Sequence, residues 1–221
     1  MNKMVKEIID KFKVKAVIFD LDGTLIDNNG FHLKTWKKYL EDSGRSMSDT
    51  EFNLHLNGRT NADAIKYIYG KDITEEEVVK HTEDKEALYR VLYKPFIEPV
   101  KGLIPFLEEL HKMNIPMAIA TSGVQSNIDF FFENIPVKKY FPIVVNSSHI
   151  KKGKPDPEIY LKTASILKVD PAKCLVFEDA VVGLQSAQAA GMKVIVLTTT
   201  QTKEELKNAD LIIDDFDYFD A

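Results

Sequence analysis

The sequence predicts an α/β fold in which a parallel sheet carries helices on both faces and an all-helical insertion interrupts the chain. Three observations carry this. Five short apolar runs lack the alternation of half-exposed strands and so suit strands buried on both faces. Helical patterns separate them, which implies parallel connections. The first connection is also far too long. It spans roughly 95 residues, where a strand–helix–strand crossover needs about 30.

The elements follow in order. Residues 1–13, MNKMVKEIIDKFK, read as a short amphipathic helix with Ile8, Ile9 and Phe12 on one side; its charges leave no secretory apolar stretch. The apolar runs are Val14–Asp20, Pro116–Thr121, Phe141–Val145, Cys174–Phe177 and Lys193–Leu197, with Leu211–Ile213 as a sixth strand at an edge. Leu103, Phe106, Leu107 and Leu110 have i, i+3, i+4, i+7 spacing, as do Ile128, Phe131, Phe132 and Ile135. Asp156 and Pro157 read as the N-cap and first residue of a helix running to Leu167. Gly191 stands where a helix starting near Ala180 would need its terminal glycine.

Within the insertion, Trp36, Tyr39 and Leu40 mark one helix, Ile65, Ile68 and Tyr69 a second, and Leu88, Val91 and Leu92 a third. Thr74-Glu75-Glu76-Glu77 has the form of a capping box opening the third. Pro95 and Pro99 suit a return linker. The division predicted is a core of residues 1–30 and 98–221 around a helical subdomain of residues 31–97.

Composition narrows the function classes. The 221 residues carry a formal net charge of −5, which argues against a nucleic-acid binder needing a basic surface. The single Cys174 excludes an intramolecular disulfide and a four-cysteine zinc site. No stretch reaches the roughly 20 apolar residues of a membrane span. A cytoplasmic monomer, with no membrane or nucleic-acid partner, is expected.

In an open parallel sheet, ligands bind beyond the carboxyl ends of the strands. Asp20-Leu21-Asp22-Gly23-Thr24 follows the first strand, Thr121-Ser122-Gly123 the second, Lys151-Lys152-Gly153-Lys154-Pro155 the third and Glu178-Asp179 the fourth. Acids, a hydroxyl and a lysine thus converge on one rim. Clustered carboxylates call for a divalent cation, and all-oxygen ligation favours Mg²⁺. A carboxylate can attack phosphorus to give an aspartyl-phosphate, and the charge on the transferring oxygens needs a lysine, a hydroxyl and backbone N–H groups. The constellation suits phosphoryl transfer.

FDLDGTLIDN, ATSG, KGKPDPEIY and VFEDAVVGLQSAQAAGM resemble, in order, the four motifs of the haloacid dehalogenase superfamily. The branch most similar holds β-phosphoglucomutase and small sugar or polyol phosphate phosphatases, in which a histidine and a tryptophan follow the first motif, as His32 and Trp36 do here. The resemblance implies a Rossmann-like core with a helical cap. It implies Asp20 as nucleophile, Asp22 as general acid/base, Thr121 and Lys154 on the phosphoryl group, and Mg²⁺ held by Asp20, the Asp22 carbonyl and Asp179, with Glu178 as a further candidate. Gly23, Thr24, Ser122, Gly123, His32 and Arg59 are candidate substrate- and phosphate-binding residues. The expected activity is a Mg²⁺-dependent phosphatase acting on a small sugar or polyol phosphate, with β-phosphoglucomutase and inorganic pyrophosphatase as alternatives. A mutase must hold a second phosphate, and Asn57, Asn61 and Val124 stand where its relatives use basic residues. Arg59 is then the sole nearby cation expected. A phosphorylated signalling receiver domain shares the Asp, Thr/Ser and Lys but is much shorter and lacks the insertion.

Overall fold

The protein, described by a computed structural model over residues 2–220, has one six-stranded parallel sheet. Its strands are β1 (Ala16–Phe19), β2 (Met117–Ala120), β3 (Ile143–Val145), β4 (Cys174–Glu178), β5 (Lys193–Leu197) and β6 (Leu211–Ile213), ordered β3-β2-β1-β4-β5-β6. The helices are α1 (Lys3–Lys11), α2 (Asn29–Glu41), α3 (Asp49–His55), α4 (Asn61–Tyr69), α5 (Glu75–Tyr93), α6 (Leu103–Lys112), α7 (Gln125–Asn134), α8 (Glu158–Leu167) and α9 (Val181–Ala189). Every strand expected from an apolar run is present, with β1, β2 and β3 shortened by two or three residues and β4 extended by one. Asp20 and Thr121 lie one residue past strand ends, whereas β4 runs one residue further and includes Glu178.

The apolar runs are continuous because both faces of the sheet are covered. Val17 and Phe19 point into a cluster formed with α1, α6, α7 and the C-terminal turn of Phe216 and Phe219. Ala16 and Ile18 point the other way, against Ile159 and Tyr160 of α8 and Leu184 of α9. Period-two alternation therefore persists in β1, but between two buried faces. The strand order reverses at β1/β4, which opens a crevice at their carboxyl ends.

Four α-helices, α2–α5, not three, form the insertion. The unexpected α3 is short and buries only Phe52, while its Leu54 is exposed, so no apolar period announces it. A second small core of Trp36, Leu40, Phe52, Leu56, Ile65 and Val78 holds α2–α5 together. The capping box at Thr74 and Glu77 opens α5 as expected. The stripe expected on that helix is not the buried one. Val91 is exposed, and the inward face is Val78, Lys85, Glu86, Tyr89 and Tyr93, because it looks onto a polar cavity as well as an apolar core. Two other details differ slightly. Helix α8 begins at Glu158 after Pro157, although Asp156 does accept from the Glu158 N–H at 3.0 Å. Gly191, at φ +77°, follows the end of α9 as expected.

The chain leaves and re-enters the sheet layer along one path. Ile26 and Pro99 form an antiparallel bridge, and the Val100 N–H donates to the Leu25 carbonyl at 3.0 Å. Both linkers to α2–α5 are therefore tied side by side. No helix among the described residues is long and apolar enough to cross a membrane.

Candidate active site

The residues just past β1 and β2 keep ladder hydrogen bonds: Asp20 N–H donates to the Phe177 carbonyl and Thr121 N–H to the Val145 carbonyl, each at 3.0 Å. These bonds fix the backbone from which the side chains enter the crevice. Lys154 arrives from the loop after β3. Its Nζ lies 2.6 Å from Asp20 Oδ1 and 2.6 Å from Glu178 Oε1, with the Ala120 carbonyl at 3.4 Å. All three side chains are buried.

Glu178 is fully engaged. Its Oε1 also accepts from the Tyr160 hydroxyl at 2.5 Å, and Oε2 accepts from the Asp179 and Ala180 N–H groups at 3.1 and 3.4 Å. Carboxylate oxygens of Asp20, Glu178 and Asp179 lie within 4.8 Å of one another. One ammonium thus faces three buried carboxylates. Burial pushes the Asp20 carboxyl well above its usual range, against the pull of Lys154, and Glu178 and Asp22 add to the rise. Asp179 is raised by the same burial and by Glu178 and Asp20. A divalent cation is the natural remedy, and the all-oxygen donor set fits Mg²⁺. Because Glu178 already serves four donors, it suits the anchoring of Lys154 better than direct metal ligation.

Asp22 is held separately. Its Oδ1 accepts from Asn28 Nδ2 at 2.5 Å and lies 3.5 Å from His32 Nε2. Lys85 Nζ stands 3.0 Å from His32 Nδ1. In a neutral ring, Nδ1 would accept from this ammonium and Nε2–H would face Asp22. Burial pushes the Asp22 carboxyl up, but the hydrogen bonds from His32 and Asn28 outweigh it and the net direction is down. The two carboxyls two residues apart thus have opposed proton affinities.

These side chains share one small cavity of about 70 Å³. Asp20, Asp22, His32, Arg59, Thr121, Ser122, Gly123, Lys154, Glu178 and Asp179 all line it. Gly23 and Thr24 are absent from the lining. Gly23, at φ +76°, instead lets Asp179 approach: a Cβ there would lie 2.0 Å from Asp179 Oδ2. Thr24 is wholly buried behind the loop.

Against this geometry, the model of the haloacid dehalogenase-like hydrolases matches residues 17–197. The chain belongs to that family. This haloacid dehalogenase-like hydrolase is 31% identical to the fructose-1-phosphate phosphatase YqaB of Escherichia coli, over 81% of this chain and 94% of that one. It is 29% identical to the β-phosphoglucomutase of Bacillus subtilis, over 90% and 89%. Among solved structures, the HAD hydrolase, family IA, variant 3 of Entamoeba histolytica superposes with a TM-score of 0.83 at 39% identity, covering 93% of this chain and 95% of that one.

The hydrolase also holds around this cavity residues that sequence reasoning passed over. Asn28 links three groups: its Oδ1 accepts from the Gly23 N–H at 3.0 Å, and its Nδ2 faces both Asp22 and the Tyr89 hydroxyl at 2.5 Å. Lys85 and Glu86 line the cavity, buried and paired at 2.8 Å. Arg59 is therefore not the sole cation there, contrary to expectation. A signal for Lys85 existed: it stands seven residues after Val78 and four before Tyr89, on the helix's inward stripe. Val124 lies in the wider outer cleft and not on the inner cavity. Cys174 is buried and its thiol is pushed up to about 11 by burial, so it stays inert as expected. Lys151 and Lys152 are exposed.

Proposed function

We propose that this hydrolase is a Mg²⁺-dependent phosphomonoesterase of small sugar or polyol phosphates, working through an aspartyl-phosphate on Asp20. The observation that carries the reading is the placement of Asp20 and Asp22 in one cavity with different partners, Lys154 for the first and Asn28 with His32 for the second. The roles require the reverse of their resting proton affinities: Asp20 would be lowered for attack by a bound cation, and Asp22 raised for proton donation by the negative charge of an entering phosphoryl group. The similarity to a fructose-1-phosphate phosphatase supports the substrate class.

In this reading an Asp20 oxygen attacks phosphorus while Asp22 gives its proton to the departing alcohol oxygen. Asp22, now ionised, takes a proton from the water that attacks the phosphoryl group on Asp20, and phosphate leaves. Lys154 offsets charge on the phosphoryl oxygens. The Thr121 hydroxyl, Ser122 and the adjoining N–H groups receive those oxygens. When bound by Asp20, Asp179 and the Asp22 carbonyl, Mg²⁺ would neutralise the acidic cluster and the phosphoryl oxygens. Residues 31–97 act as a cap that excludes water and selects the leaving group. The enzyme is taken to work as a cytoplasmic monomer.

The test is phosphate release across a panel of small phosphorylated metabolites with Mg²⁺. Turnover concentrated on sugar and polyol monophosphates supports the reading; none on any phosphomonoester sinks it. The mutase reading is favoured by Lys85, which joins Arg59 and Lys154 among the cations lining the cavity. β-Glucose 1-phosphate with catalytic glucose 1,6-bisphosphate separates the two, since a mutase yields glucose 6-phosphate with little free phosphate.

A further inference from the structure

The cavity has a floor and a roof. Asp20, Thr121 and Lys154, from the strand ends, form the floor, where the transferring phosphoryl group belongs. Trp36, Asn61, Lys85 and Glu86, from α2, α4 and α5, form the roof, which the leaving group must face.

The roof contains one lysine, and that lysine is not free. Lys85, 2% exposed, has its ammonium 2.8 Å from Glu86 Oε1 and 3.0 Å from His32 Nδ1, and it lies over the Trp36 ring at 5.0 Å. Glu86, 3% exposed, is fixed from both sides of the cleft. Its Oε1 accepts from Asn61 Nδ2 at 2.8 Å, and its Oε2 accepts from Asn127 Nδ2 of α7 at 2.7 Å. Burial would push this carboxyl up, but Lys85, His32 and Asn127 outweigh it and bring it down to about 2, so it stays charged.

We infer that Glu86 is a specificity-determining residue that masks the charge of Lys85 and so restricts the enzyme to monophosphates with uncharged, hydroxyl-bearing leaving groups. The inference rests on the phosphatase reading and sharpens its substrate class. A second phosphate on the substrate would meet a neutralised lysine and a fixed carboxylate in a water-poor cavity. Like charges brought together there are strongly disfavoured. A sugar hydroxyl fares differently. Glu86 Oε2 has one side-chain donor among the described residues, Asn127, and a carboxylate oxygen accepts two bonds. The open position on Oε2 suits a hydroxyl donor.

The test compares kcat/KM for fructose 1-phosphate and fructose 1,6-bisphosphate in the wild-type protein, Glu86→Gln, and Glu86→Gln combined with Lys85→Met. The wild type is expected to prefer the monophosphate by about tenfold or more. Glu86→Gln should narrow that preference by about tenfold, because Lys85 is unmasked, and the double variant should restore it. The ratio is internal to each preparation, so partial loss of folded protein cancels. If neither variant folds, the wild-type preference alone decides. Equal use of both substrates by the wild type, or an unchanged ratio in a folded Glu86→Gln, overturns the inference while leaving the phosphatase reading standing. No phosphate release from fructose 1-phosphate, from p-nitrophenyl phosphate or from any other monoester in the wild type would overturn both.

Discussion

Gly183 has no side chain where the Glu178 carboxylate stands: a Cβ on Gly183 would lie 1.9 Å from Glu178 Oε1. That glycine is inside α9, where alanine would ordinarily be the better helix former. Its absence of bulk is what lets Glu178 reach Lys154 and Tyr160 together.

Gly183→Ala should therefore disturb the site directly. The Glu178 carboxylate must shift, and Lys154 loses one of its two anionic anchors. A misplacement of about 1 Å can cost about 10²-fold in rate. A loss of kcat on that order is expected, together with a lower thermal midpoint, because moving a buried carboxylate off its donors outweighs a helix-propensity gain of up to about 1 kcal/mol. Unchanged kcat would mean Glu178 does not position Lys154.

Asp22→Asn should remove the proton donor while leaving Asp20 and Lys154 in place. Positioned proton transfer contributes about 10²–10⁴-fold, so kcat/KM on a sugar phosphate should fall by that much. The loss should be smaller for p-nitrophenyl phosphate, whose leaving group needs little protonation. An equal loss on both substrates would point to a structural role for Asp22.

Mg²⁺ should stabilise the protein as well as activate it. At about 100 times its dissociation constant a ligand adds about 2.7 kcal/mol, readable as a rise in the thermal midpoint on adding Mg²⁺ to EDTA-treated protein. Asp179→Asn should abolish most of that rise. Glu178→Gln should retain more of it, since the Glu178 oxygens already accept from Lys154, Tyr160 and two N–H groups. A midpoint insensitive to Mg²⁺ in the unaltered protein would refute the assignment of the acidic cluster.

Acid should reveal Glu86. Its carboxyl falls from 4.5 to about 2 on folding. A lowered folded-state value means stability that is present above pH 4.5 and lost as pH falls towards 2. The shift amounts to about 3 kcal/mol at neutral pH. Glu86→Gln should melt well below the unaltered protein at pH 7, with the gap closing as pH approaches 2. A gap independent of pH would show that shape, and not charge, sets the contribution of this residue.

The sheet was legible because a strand buried on both faces must be apolar, as AVIF of β1 and VIVL of β5 are. The floor of the site was legible for a related reason: Asp20, Asp22, Thr121, Lys154 and Asp179 each sit close to the end of an apolar run or on the loop that follows it. The roof was not. Lys85 and Glu86 are charged residues in a helix that opens with Glu75, Glu76 and Glu77, and such residues usually face water. The spacing from Val78 and Tyr89 places Lys85 on an inward stripe, but charge masks that signal, and the fold is what shows α5 turning both residues inward. Asn28 and Tyr160 were hidden likewise, since their importance lies in partners distant along the chain: Tyr89 for the first and Glu178 for the second. Helix α3 escaped because a two-turn helix with one buried residue has no period to detect.

The central place of β1 also sets a timetable for the nascent protein. Lys154 meets Asp20 across a separation of 134 residues, and β1 cannot complete its pairing until β4 emerges. At about 5–20 residues per second, the ribosome leaves the Ala16–Phe19 segment without its β4 partner for on the order of ten seconds. Through that interval an apolar strand edge is open to the wrong neighbour, and contacts so remote in sequence close slowly. The α2–α5 helices, built from local contacts, emerge within that window and can fold beside it. Slowing translation between β1 and β4 should therefore raise the demand for chaperones that shield exposed strands, long before any catalytic group is in place.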